Sequence, residues 1–395
     1  MTASQQQVAA KSGTAGSRPE RPAAVTVQVL SDDAEVDRLA EEWEHLYARS
    51  AVATPFQSHA WISSWWRAYG SPGRLRLLVA RREGELAGIA PFMLRHCGGY
   101  RVLAPIGGGL SDFTDILLED DAEESALGIC EAILAEPGWD VIDLPEVRPG
   151  AAIDRLRAHW RGRSWSLPAS ICLQLPAKPV DDLLDDLAGR NATKLRRGLR
   201  RLETMNIQMT EVPAGDVERG MTELIGLHAK QWENRNINQE HLRPQFVRHL
   251  TRAARLLIEQ NRAVLTEYRI AGRLVVSDFI VVGDDFVGGY LYGAHPDIRS
   301  QIDILTLLVR GNLDLTHRIG RPALSFLRGS ESHKTKWGTE EVRNHRVVLG
   351  RGLPALGYVA AARTRLTAER LIRAHFPTLV ENRPRLSRHR RPRWR

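Results

Sequence analysis

Hydrophobic and polar positions along this chain keep switching between two periods. The run AVTVQVL (24–30) predicts a strand that leads into Ser31-Asp32-Asp33, a helix-cap signal. After it Val36, Leu39, Ala40, Trp43 and Leu46 recur on one side of a helix, and Ser58 caps a second helix carrying Trp61, Trp65 and Trp66. LRLLVARREGELAGIAPFML (75–94) is two apolar arms around a glycine turn, the pattern of a hairpin. RVLAPIGGG and FTDILL follow, then the amphipathic helix ESALGICEAILAEPG and the buried strand WDVIDLPEV.

The second half repeats this plan. ICLQLP is followed by a long basic helix, IQMTEVP, the helices DVERGMTELIGLHAKQWENRN and PQFVRHLTRAARLLIEQN, and another hairpin. That hairpin, VLTEYRIAGRLVVSDFIVVG, lies over the first with Gly272 on Gly84 and apolar alternation kept along both arms, which predicts an internal duplication. FVGGYLYGAHPDIRSQ then leads into a helix with Ile304, Leu308, Gly311, Leu315 and Ile319 on one face, ended by Gly320 and Pro322, and ALSFLRG returns as a strand. The expected class is α+β. The expected divisions are a disordered tail (1–24), a first domain (25–160), a second domain with the active site (165–350), a helical segment (351–381) and a disordered basic tail (382–395).

Composition changes this picture little, and charge changes it more. Of 395 residues, 43% are apolar and 26% charged, the balance of a globular enzyme. The net charge of +8 is carried at the ends. The segment 383–395 holds seven Arg and no acid and the segment 1–24 carries +2, so the body between them stands at −1. This distribution argues against a specific DNA-binding fold. Cys97, Cys130 and Cys172 form no CxxC pair, which speaks against a disulfide framework or a zinc site and fits a reducing cytoplasm. No stretch approaches the roughly 18 apolar residues of a membrane span.

PFQSHAWISSWW (55–66), the 75–94 hairpin, GGGLSDFTDILL (107–118), LHAKQWENR (227–235), SDFIVVGDDFVGGYLYGAHP (277–296) and LSFLRGSESHKTKW (324–337) resemble the CelD/BcsL-type branch of the GNAT acetyltransferase superfamily. More distantly, the chain resembles the Fem peptidyltransferases with their paired GNAT domains. The resemblance implies two tandem GNAT-like (acyl-CoA N-acyltransferase) domains with mixed, mostly antiparallel sheets. It also implies acyl transfer from acetyl-CoA or another acyl-CoA, with no metal, to an amine or hydroxyl on a small molecule or glycan precursor. Two positions depart from the family's pattern. Its Gly-rich phosphate segment corresponds to the glycine-free Arg299-Ser300-Gln301-Ile302-Asp303, and Ser330 and His333 stand where an acid and an aromatic are expected.

Each candidate residue has an alternative reading. Arg299, Ser300 and Gln301 open a helix whose N–H groups can hold phosphate, against a plain surface helix capped by Asp303. Tyr290 and Tyr292, two apart on a strand, are expected to share a face, with Tyr292 the proton donor to a leaving thiolate and Tyr290 at the substrate, or both are core aromatics. Asp278, inside an apolar strand, is the base candidate or the partner of an Arg or Lys. His228, on an apolar helix face with Trp232, is a pocket or a core residue. Arg328, Glu331 and Lys334 after the last strand position substrate or form an ion-pair network. The helix Arg190 to Arg201 carries Lys194, Arg197 and Arg201 in one stripe, a solvated face or a landing surface for an anionic partner. The expected activity is acyl transfer in a cytoplasmic protein, with a Fem-like aminoacyltransferase and a catalytically silent scaffold as the other readings.

Overall fold

The computed structural model describes residues 25–187, 189–231 and 239–375. The expected tails (1–24 and 382–395), the end of the expected helical segment 351–381 beyond residue 375, and the candidate Trp232 lie outside the described residues.

In the first copy the strands are β1 (Val25–Leu30), β2 (Leu75–Arg82), β3 (Glu85–Cys97), β4 (Tyr100–Pro105), the short β5 (Leu117–Leu118) and β6 (Val141–Val147). β7 (Arg163–Pro176) links to the second copy, β8 (Gln208–Glu211), β9 (Ala263–Ile270), β10 (Arg273–Val282), β11 (Val287–Ala294) and β12 (Ala323–Arg328), and β13 (Glu340–Gly350) closes the sheet. They do not form two separate sheets. One 13-stranded sheet runs β1-β2-β3-β4-β6-β13-β7-β12-β11-β10-β9-β8, with β5 beside β3. Among the described residues only β4/β6 and β11/β12 are parallel, one pair in each copy.

The duplication is visible in backbone detail. Both hairpins turn through two residues with positive φ, Glu83-Gly84 (54° and 89°) and Ala271-Gly272 (49° and 77°), the type I′ geometry that matches strand twist. Just after each turn the register slips by one residue, leaving Ala87 and Val275 without a partner across the hairpin. The interval between these two bulges is the same as that between Gly84 and Gly272.

The copies are interlocked where they meet. β7, the strand that leaves the first copy, pairs with β12 of the second, and β13, the last strand of the second, pairs with β6 of the first. β7 and β13 also pair with each other, from Glu340–Gln174 to Gly350–Arg163.

Apolar packing follows the same division. One core, containing Trp43, Phe56, Trp61, Phe246 and Phe279, spans both copies, and within it the helix His59–Tyr69 lies on its counterpart Pro244–Glu259. On the opposite face the helices Glu123–Ala135 and Ile304–Arg318 each cover a core of their own copy. The helix Pro354–His375 is anchored at its start by Ala355 and Val359, and the Tyr358 hydroxyl donates to Asp143 Oδ2 (2.6 Å).

Candidate functional site

A parallel pair of strands that diverges opens a crevice in a sheet, because the backbone groups beyond the divergence lose their ladder partners. Each copy contains such a divergence. β4 and β6 pair only at Val102–Val141 and Leu103–Ile142, and β11 and β12 only at Val287–Leu324 and Gly288–Ser325.

In the first copy the chain fills its own divergence. Residues 107–118 turn back into it, Thr114 N donates to Glu146 O (2.7 Å), and Glu146 N donates to the Thr114 hydroxyl (3.1 Å). Asp115, in the same segment, accepts N–H groups from Ile116, Ala152 and Ile153 at 2.7–2.8 Å.

The divergence in the second copy is built differently. β11 bulges at Tyr290, the residue without a partner between Phe279–Leu291 and Ile280–Gly289. β12 bulges at Phe326-Leu327, where buried Leu327 takes a left-handed φ of 53°. For a branched side chain that conformation costs energy, a local strain of the kind found at functional sites. Tyr290, Tyr292, Phe326 and Arg328 stay partly exposed in the middle of an otherwise buried sheet. Tyr290 and Tyr292 belong to β11 and Phe326 and Arg328 to β12, the two strands that diverge.

The bulge also corrects an expectation. Tyr290 and Tyr292 do not share a face, since the extra residue shifts the alternation. The Tyr290 ring packs against Trp61 (5.2 Å), Phe56 (6.1 Å) and Phe279 (6.2 Å), and its hydroxyl donates to Leu110 O (3.0 Å) in the first copy. Burial holds that hydroxyl's pKa well above the ordinary tyrosine value. Tyr292 faces the opposite core, under the helix 304–318.

Arg328 is the centre of charge in the crevice. Its Nε donates to Asp112, and its Nη1 lies 3.7 Å from Glu146 Oε1. Glu146 also accepts from the Ser170 hydroxyl (2.8 Å) and from Asn344 Nδ2 (3.2 Å). Two carboxylates therefore face one guanidinium. Burial alone would lower the pKa of Arg328, but the pair Asp112 and Glu146 raises it, so the cation is permanent. Of the three side chains Arg328 is the most exposed, at 27%, against 13% for Asp112 and 6% for Glu146.

Lys334 and Glu331 form their own pair (2.9 Å) at the lip of the crevice, where Lys334 Nζ also donates to Phe326 O (3.3 Å). The expected cluster is thus divided: Arg328 belongs to a seam between the copies, and Lys334 and Glu331 brace the turn after β12.

Asp278 is sealed in the core, 2% exposed, and its partner is neither Arg nor Lys. Asn312 Nδ2 donates to its Oδ2 (2.9 Å), and burial pushes the carboxyl up to about 7 against that bond. His228 serves β11. Its Nδ1 donates to Tyr292 O (2.7 Å), and its Nε2 meets His241 Nδ1 (3.1 Å). Only glycine fits at position 293 beneath the helix Val217–Gln231, since a Cβ there would lie 2.5 Å from His228 N and 2.6 Å from Leu224 O. Burial lowers the pKa of both histidines, that of His241 to about 3.

The start of the helix 304–318 is already occupied by side chains. Asp303 Oδ1 accepts from Leu305 N (3.3 Å), the Ser300 hydroxyl and Gln301 Nε2 donate to Asp297 O (3.0 and 3.2 Å), and Arg299 Nη1 donates to Gln231 O (3.2 Å). A carboxylate cap repels phosphate and takes an N–H that phosphate would use. As arranged, Arg299, Ser300 and Gln301 are engaged with the backbone oxygens of Gln231 and Asp297.

Asp112 and Glu146 escaped the sequence reading. Asp112 lies within GGGLSDFTDILL, but nothing in the local pattern says that its partner is 216 residues away.

A family model described as an acetyltransferase (GNAT) domain matches residues 17–105 and 189–335, more than half of the chain. No curated protein matches the sequence. Among solved structures the chain is similar to FemX, at 12% identity and a TM-score of 0.57, over 81% of this chain and 98% of that one. It is also similar to a conserved protein of unknown function from Bacteroides thetaiotaomicron (12%, 0.55, over 82% and 100% of the two chains). A third similar structure is the C-terminal domain of a putative lysylphosphatidylglycerol synthetase from Agrobacterium fabrum (11%, 0.53, over 84% and 97%). At such identities the likeness concerns the fold, which is a tandem GNAT fold.

Proposed function

Because the chain belongs to the GNAT acetyltransferase family, we propose that it is an acyltransferase working in the β11–β12 crevice of its second copy. The observation that carries this reading is the contrast between the two divergences. The first is filled by residues 107–118, and the same segment delivers Asp112 to Arg328 at the second.

In this reading the donor's acyl carbonyl lies between the diverged strands. An amine or hydroxyl acceptor approaches from the side of Arg328 and loses its proton to Asp112, the nearest crevice carboxylate with an exposed edge. Arg328 holds Asp112 in place. Tyr292, on a backbone fixed by His228, is the group offered to the leaving atom. Glu331 and Lys334 shape the lip, and Asp278 supports β10 from behind.

An acyl-CoA is the donor to test first, as the family implies. An aminoacyl ester is the second reading, favoured by the Asp303 cap, which takes one N–H of the helix start and sets a carboxylate there. The resemblance to the CelD/BcsL branch supports a glycan-precursor acceptor.

The test is turnover of each donor, acetyl-CoA and aminoacyl-tRNA, with and without amine acceptors. Asp112→Asn leaves Arg328 facing Glu146 alone, so its melting temperature should fall by several degrees, while turnover of the folded variant, assayed well below that transition, falls by about 10²-fold, the usual size of lost proton transfer. Unchanged turnover in that variant removes Asp112 from the reaction. If wild type neither binds nor consumes either donor, the chain is a scaffold.

A further inference from the structure

The helix Gly189–Glu203 buries Ala192, Leu195, Leu199 and Leu202 on one side. Arg190, Lys194, Arg197 and Arg201 recur at i, i+4, i+7 and i+11 on the opposite side, within about 60° of one another at 100° per residue. All four are exposed, and among the described residues none has an ion pair or side-chain hydrogen bond. Their neighbours differ: Arg196 pairs with Asp185 (2.7 Å), and Arg310 of the adjoining helix approaches Glu203 (3.8 Å).

Four uncompensated cations spaced at i,i+3 and i,i+4 destabilise a helix, each like-charge step working against it. They also stand out locally. The segment 25–382 carries a net charge of −1, so the stripe is no by-product of a basic body.

We propose that this stripe docks the protein on an anionic lipid surface. The cations form a straight line of about 16 Å along one exposed helix, a geometry that meets a plane. The helix has no aromatic residue, so it lacks the stacking surface with which proteins hold single-stranded nucleic acid. Stable peripheral attachment takes two signals. The second is in the sequence, where the segment 383–395 holds seven Arg, Trp394 and no acid. Among the described residues no helix is long and apolar enough to cross a membrane. The stripe lies beside the crevice, since its helix packs on the helix 304–318, with Gly198 against Thr306. The proposal does not depend on acyl transfer.

Co-sedimentation of the full chain with vesicles tests it. Wild type should bind phosphatidylcholine vesicles containing about 30 mol% phosphatidylglycerol, ignore pure phosphatidylcholine, and detach at about 0.5 M salt. With about fivefold in partitioning per cation, Arg190→Gln/Lys194→Gln/Arg197→Gln/Arg201→Gln should weaken binding by about 10²-fold or more at an unchanged melting temperature. Should that variant fold poorly, Arg197→Gln/Arg201→Gln gives the same reading at about 25-fold. Equal binding by wild type and variant overturns the proposal. So does a wild type that ignores anionic vesicles while holding a single-stranded RNA through the same four residues.

Discussion

Asp278 shows what a single residue discloses before its surroundings are known. A lone acid within VVSDFIVV must be neutralised or paired, and the structure supplies Asn312 and a carboxyl pushed up to about 7. The ordinary value is 3.8, so between about 4 and 7 the folded protein holds a proton that the unfolded chain has released. Stability therefore falls as pH rises through that window, and the cost is complete above it. Asp278→Asn keeps an oxygen for Asn312 without the charge. The variant should match wild type near pH 4 and exceed it by about 2–4 kcal/mol at pH 8, measured by urea unfolding at both pH values. Parallel curves would mean that the carboxyl is ionised and compensated in the folded state. The burial of Asp278 was legible because it depends on its own strand. Arg328 was noticed for its place after a strand, but Asp112 and Glu146 were not. Partners drawn from opposite halves of the chain leave no mark in a local pattern.

Elements were legible where a short-range rule governs them. The two hairpins could be superposed from their glycines because a type I′ turn demands positive φ at both central residues, and glycine meets that demand at no steric cost. The first residue of each turn meets it less well. Ala271 sits at φ 49° where asparagine is favoured, so Ala271→Asn should stabilise the protein by roughly 0.5–1 kcal/mol. Gly272→Ala should cost about 1 kcal/mol, although a Cβ there meets no atom within 4 Å, because the penalty is conformational. Midpoints of chemical unfolding separate these outcomes, and a neutral Gly272→Ala would mean that the turn has relaxed to another type. The bulge at Tyr290 obeys no such rule. It arises where β11 must leave β12 while still pairing with β10, and that conflict exists only once the sheet is assembled.

At the scale of the whole molecule, two copies in sequence do not make two independent domains. β7 carries the end of the first copy to β12, and β13 returns the end of the second to β6, so each copy completes its sheet with a strand on the far side of the boundary. A first half ending near residue 160 would strip β13 from one edge of β6, and the core residues beside that edge, Val141, Ile142 and Leu144, all fully buried, would lose part of their cover. Exposed, unpaired strands of this kind associate with one another. The seam adds to the dependence, since separation would strip Asp112 and Glu146 from Arg328, and breaking such a pair one-sidedly costs about 3–5 kcal/mol. Chains of this length commonly unfold in steps. This one should not. Calorimetry of the full chain should give a single transition whose van't Hoff and calorimetric enthalpies agree, and the segment 1–160 produced alone should be insoluble or unfolded. Arg328→Gln should lower the whole transition without splitting it. Two resolved transitions, or a soluble and cooperatively folded first half, would show that the exchanged strands are a late addition to two self-sufficient cores.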